Sequence, residues 1–171
     1  MIEGRFVLIS SNKGYEFDAF LETFAVGTER GASIELFGLL AEGRILARIA
    51  DGDPVNDESL LMDLNDRSGK LRFVKRAVAC SIVGKTADLS DICAMMNATI
   101  KGQGGSRSVA VRTEGIGFSD PRRDQAIAKI TDGIQRIDLR RPQVIAFLHV
   151  SGDFCVAGVT GLSSVLGVED R

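Results

Sequence analysis

The side chains with the most chemical potential in this 171-residue chain are cations gathered in one stretch. Arg122 and Arg123 follow Asp120-Pro121. A side-chain acceptor and then a proline is how a helix starts. Free backbone N–H groups and the helix dipole favour an anion at such an end, and a guanidinium meets phosphate through paired hydrogen bonds. Arg107 and Arg112 lie upstream on a strand pattern, and Arg140 and Arg141 lie downstream, just before Pro142. Lys101 and Lys129, and earlier Lys75 and Arg76, extend the same charge. All ten are candidate contacts for a phosphate backbone.

The totals alone argue the other way, with a formal net charge of -2 and a pI near 5.5. The distribution is uneven. Residues 1–66 carry five Lys/Arg against 13 Asp/Glu, whereas residues 67–141 carry 15 against seven. A polyanion feels the local field, because salt screens charges beyond about 10 Å. Aromatics for stacking unpaired bases are scarce, with no Trp and Tyr15 as the one tyrosine, which favours recognition of shape and phosphate.

Other motifs fail on their surroundings. Val83-Gly84-Lys85-Thr86 looks like the end of a phosphate-binding loop, but Ala79 stands where that loop needs its first glycine. Gly102, Gly104 and Gly105 follow a helix pattern, whereas a dinucleotide fingerprint follows a strand. His149 is the lone histidine, in an apolar strand with no ligand set or nucleophile elbow around it, and reads as a packed residue. Asp51 and Asp53 belong to a turn. Cys80, Cys93 and Cys155 are odd in number and widely spaced, each in an apolar stretch, and read as buried free thiols of a reducing, cytoplasmic compartment. No catalytic centre, metal site or cofactor is expected. No apolar run reaches the roughly 20 residues of a membrane span. Ile2-Glu3-Gly4-Arg5 matches a protease recognition sequence, yet Arg5 runs straight into a strand pattern, which favours native sequence.

These residues need elements to hold them. Arg5–Ser11 reads as a strand, and Phe17, Phe20, Leu21 and Phe24 as one face of a helix ended by Gly27. Ser33–Leu40 and Arg44–Ile49 form a hairpin around Ala41-Glu42-Gly43. Asp57 caps a helix carrying Leu60, Leu61 and Leu64, and Leu71–Val83 reads as a long apolar strand. This order predicts a ferredoxin-like βαββαβ domain over residues 1–75. Next, Leu89, Ile92, Cys93, Met96 and Ile100 mark a helix ended by Gly102, and a loop spans Lys101–Ser106. Arg107–Thr113 is a strand. A helix opening at Asp120-Pro121 carries Ile127, Ile130, Ile134 and Ile137 in one stripe. Val144–Val150 and Phe154–Val159 make a final hairpin. The class is α+β.

Val109-Ala110-Val111-Arg112, the helix at Asp120-Pro121-Arg122-Arg123, and Asp138-Leu139-Arg140-Arg141-Pro142 entering a strand together resemble the THUMP domain of tRNA-modifying enzymes. Where that family often has an acidic residue after the proline, this chain has Gln143. The resemblance covers residues 76–171. The preceding small domain, ending in Leu71–Val78, resembles the N-terminal region of archaeal tRNA guanosine methyltransferases, without the methyltransferase domain that follows in those enzymes. The resemblance implies binding of tRNA or another structured RNA, as an adaptor for a separate modifying enzyme. Two other readings stay open: the RNA-binding part of a SAM-dependent methyltransferase, and a ferredoxin-like protein-interaction module with no RNA role.

Overall fold

The computed structural model describes residues 1–53, 55–103, 107–161 and 165–167. The strands are β1 (Ile2–Ser10), β2 (Ile34–Ala41), β3 (Arg44–Ile49), β4 (Arg76–Lys85), β5 (Val109–Glu114), β6 (Val144–Ser151), β7 (Phe154–Gly161) and β8 (Val165–Gly167). The helices are α1 (Glu16–Glu29), α2 (Asp57–Asp66), α3 (Leu89–Gly102) and α4 (Pro121–Thr131), with a short 3-10 turn at Thr86–Asp88. The chain divides into two compact units. One is Gly4–Ala79 with β8; the other is Met1–Glu3 with the chain from Cys80 through β7.

In the first unit the strand order is β2-β3-β1-β4, with β8 on the start of β4. β1 and β3 run antiparallel from Arg5↔Ile49 to Ser10↔Arg44, which turns Val7 and Ile9 into the core beside Ile45, Ala47 and Ile49. Leu60, Leu61 and Leu64 are fully buried from α2, as their spacing predicts. Ile2–Arg5 belongs to β1. The Arg5 guanidinium donates to Asp57 at 2.9 Å and to the carbonyls of Ala50, Asp53 and Val55, so this side chain anchors the entry to α2.

Three expectations need correction here. Gly27 does not end α1; it lies inside the helix because a Cβ there would come within 2.2 Å of Ile34. That close approach lays Ala19, Phe20, Thr23 and Val26 on the sheet, and leaves Phe17, Leu21 and Phe24 exposed. The cap of α2 is Asn56, whose side chain accepts the Ser59 N–H at 2.7 Å, leaving Asp57 for Arg5. The strand predicted from Leu71 begins at Arg76. The amides of Arg72, Phe73 and Val74 go instead to the Glu22 carboxylate at 2.7, 2.9 and 3.0 Å, so this stretch has its hydrogen bonds without a neighbouring strand.

In the second unit the order is β4-β7-β6-β5. β6 is antiparallel to β7 and parallel to β5, and α4 supplies the crossover that a parallel pair requires. Ile92, Cys93, Met96 and Ile100 of α3 meet Ala126 and Ile130 of α4 and the sheet residues Val109, Ala146 and Leu148 in one core. α3 ends at Gly102 as read from the sequence; Gly104, Gly105 and Ser106 lie outside the described residues. α4 is shorter than its isoleucine stripe. It stops at Thr131 because the Asn97 amide caps the carbonyls of Ile130 and Asp132, each at 2.8 Å, and Gly133 turns at φ +68. Ile137 consequently lies outside the helix and is half exposed. The three cysteines are buried and none is in a disulfide among the described residues. Among the described residues no helix is long and apolar enough to cross a membrane.

Candidate nucleic-acid interface

Strand β5 ends the order of the second unit, and the segment before β6 is laced onto it. Val109 donates to the Arg136 carbonyl and accepts from Asp138, each at 3.0 Å, in a parallel bridge with Ile137. Gln143 closes the other end: its Oε1 accepts the Ser108 N–H at 3.1 Å, and its own N–H donates to Ser108 O at 2.8 Å. Between these ties the Asp138 carboxylate accepts the N–H groups of both Arg140 and Arg141 at 2.9 Å. Those bonds hold its carboxyl below the usual carboxylate range. Arg112 donates to the Leu139 carbonyl at 3.1 Å.

The result is one arginine strip. Arg107, Arg112, Arg140 and Arg141 are all exposed along the β5 edge and its laced segment. The guanidinium groups of Arg107, Arg140 and Arg141 form no ion pair with a carboxylate of the described residues. The role of Asp138 and Gln143 is to fold this strip.

Arg122 and Arg123 are differently placed. Asp120 caps α4 by accepting the Arg122 N–H at 2.9 Å, as its sequence position predicts. The same carboxylate also takes the Arg122 guanidinium at 2.6 Å, which lowers the Asp120 carboxyl and raises the arginine. The helix end is thus already matched by its own acid. Arg123 donates from Nε to Thr113 Oγ1 at 3.1 Å, and its guanidinium carbon stands 4.7 Å from the centre of the Phe118 ring. Thr113 neighbours Arg112 on β5, so this pair borders the strip.

The other predicted cations scatter. Lys101 reaches Asp132 at 3.9 Å from the last turn of α3, and Lys129 donates to Ser90 Oγ at 2.5 Å across α3 and α4. Lys75 is exposed and Arg76 half-buried in the first unit. The reading of scarce aromatics also needs correction: Phe118 is 88 % exposed. Its hydrophobic type hid it, although flanking Gly117 and Ser119 mark a loop.

Cys93 and Cys155 are not activated as nucleophiles. Burial pushes the Cys155 thiol up to about 11 and raises that of Cys93, so both are poor thiolates at neutral pH. His149 is buried in β6 with Nδ1 3.5 Å from Glu114. Among the described residues no three His, Cys, Asp or Glu side chains converge as metal ligands would.

No protein-family model and no curated protein matches this sequence. Solved structures do share its fold. A 4-thiouridine synthetase in complex with RNA and bound ATP superposes with a TM-score of 0.51 at 14 % identity, over 92 % of this chain and 41 % of that one. TrmN from Thermus thermophilus gives 0.51 at 21 % identity, over 91 % and 45 %. PH1313 from Pyrococcus horikoshii Ot3 gives 0.56 at 9 % identity, over 91 % and 54 %. This chain therefore spans only about half the length of those it matches. At these identities the likeness is one of fold.

Proposed function

We propose that this chain binds structured RNA, and tRNA in particular, through the arginine strip, as an adaptor for a separate tRNA-modifying enzyme. The observation that carries the reading is the strip itself. Arg107, Arg140 and Arg141 are exposed at the β5 edge and on the segment tied to it, and their guanidinium groups form no ion pair among the described residues. Its support is a fold shared with a synthetase captured on RNA. In this reading residues 76–171 form a THUMP-like RNA-binding domain after a ferredoxin-like domain over residues 1–75; the order β2-β3-β1-β4 suits a βαββαβ arrangement whose last strand, the start of β4, lies just past that boundary. The chain supplies binding, the chemistry belongs to its partner, and the cytoplasm keeps its thiols reduced. Arg122 and Arg123 border the strip, and Lys101 and Lys129 add positive charge to the same unit.

The length of the similar chains favours a second reading, in which the same surface serves a methyltransferase or other catalytic domain of a longer polypeptide. The RNA contact is the same in both.

Fluorescence anisotropy with bulk tRNA over a salt series tests the contact. Log affinity should fall with log salt, by about 0.7–0.9 for each phosphate engaged. Replacing Arg107, Arg140 and Arg141 together by Gln should flatten the slope by about two to three and leave the fold intact. An absence of binding at low salt sinks the reading, and an unchanged slope moves the contact off the strip.

A further inference from the structure

The loop between β5 and α4 presents one large apolar side chain to solvent, Phe118, at 88 % exposure. An apolar ring held in water is unfavourable, yet this one is not on a slack loop. Gly115, at φ +75, lies so close to β6 that a Cβ would come within 1.7 Å of the Val150 carbonyl oxygen. Ile116 is buried as a peg, and the Asp120 N–H closes a turn onto the Gly117 carbonyl at 3.1 Å. The Arg123 guanidinium covers one side of the ring at 4.7 Å, within cation–π range, and is itself held by Thr113 at 3.1 Å. The exposure leaves the opposite face of the ring to solvent.

We propose that Phe118 is a stacking platform for an unpaired nucleobase, with Arg123 as the positioning residue that sets the plane of the ring. This rests on the RNA-binding reading above. A base is favoured over an apolar protein pocket by the surroundings. The flanking residues are Gly117, Ser119, Asp120 and the cations Arg122 and Arg123, so a pocket closing over the ring would have to bury charge. A flat π-face with the Arg123 guanidinium over its other side suits a base instead. Every base has a π-face, so the platform tolerates sequence, while duplex RNA keeps its base faces stacked away. The platform therefore reads unpaired nucleotides beside a structured region gripped by the strip.

Two RNA probes test this on the full chain: a blunt hairpin, and the same hairpin with three unpaired adenosines at one end, one replaced by fluorescent 2-aminopurine. The wild type should prefer the second probe and quench its fluorophore. Phe118→Ala and Phe118→Leu should each lose about 10- to 100-fold on that probe, lose the quenching, and change little on the blunt hairpin. Phe118→Trp should retain or strengthen both signals. At 88 % exposure none of these changes disturbs the core, which circular dichroism checks. Retention of binding and quenching by Phe118→Leu, or equal losses on both probes, overturns the platform and leaves the strip standing. A wild type that binds neither probe nor tRNA at low salt overturns the RNA reading, and the platform with it.

Discussion

In the unit built on Gly4–Ala79, the cations Arg5, Lys13, Arg30, Arg48 and Arg67 each meet a carboxylate of that same unit. In the unit that runs on from Cys80, the guanidinium groups of Arg107, Arg140 and Arg141 form no ion pair among the described residues. Counts do not separate the two so well: Gly4–Ala79 holds ten Lys/Arg and 12 Asp/Glu, Cys80–Gly161 ten and eight. The strong basic run over residues 67–141 arises partly because Arg67, Lys70, Arg72, Lys75 and Arg76 follow one another in sequence after an acidic stretch, although they fold into the first unit with it. Arg67 there pairs with Glu29 at 2.6 Å. The first unit leaves Lys70, Arg72 and Lys75 exposed as well; what distinguishes the second is that its outward arginines gather on the β5 edge and the segment laced to it. Stability of the first unit should therefore depend on charged side chains, and that of the second on the backbone that presents them.

The largest effect expected from breaking this contrast is at Gly115. Gly115→Ala adds a Cβ at φ +75 where the Val150 carbonyl oxygen would be 1.7 Å away. Backbone strain and forced displacement of β6 together should cost about 3–5 kcal/mol in urea unfolding. A loss under about 1 kcal/mol would show that the loop is not pressed on β6. Next comes Arg5→Ala in the first unit. It strips Asp57 of its partner and three carbonyls of a donor, and should cost about 2–4 kcal/mol. The salt slope of RNA binding should not change; a flatter slope would place a phosphate contact in the first unit and break the contrast.

Much of the fold was legible because the local signals were strong. The alternation in β1, the hairpin at Gly43, the leucines of α2, the apolar stripe of α3 and the Asp120-Pro121 start of α4 each follow from period or cap chemistry. The misses came from long-range partners that spacing does not encode. Glu22, some 50 residues away, takes the amides that would otherwise extend β4. Asn97 stops α4 from another helix, and Ile34 makes Gly27 a packing residue where it looked like a helix end. At the interface the arginines of the strip were legible by type and order. That Asp120 occupies Arg122, and that Phe118 stands in solvent beside Arg123, depended on side-chain placement.

The smallest expected effect concerns Asp138, the acid inside the basic strip. Its carboxylate accepts the amides of Arg140 and Arg141, and these bonds lower its pKa in the folded protein. A carboxyl lowered on folding stabilises the native state above its ordinary value near 3.9, and that contribution is lost as pH falls through the lowered pKa. Asp138→Ala should therefore give a slightly lower Tm than wild type at pH 7, and the gap should close as pH is taken below about 4. Because the arginines remain, the salt slope of RNA binding should be unchanged. Affinity should drop about two- to tenfold, since the turn must then be ordered on binding. Asp138→Asn retains an acceptor oxygen and should fall between the two. A Tm gap constant across pH would show that the ionised carboxylate does not hold this turn, and a flattened slope would make Asp138 part of the phosphate contact rather than its support.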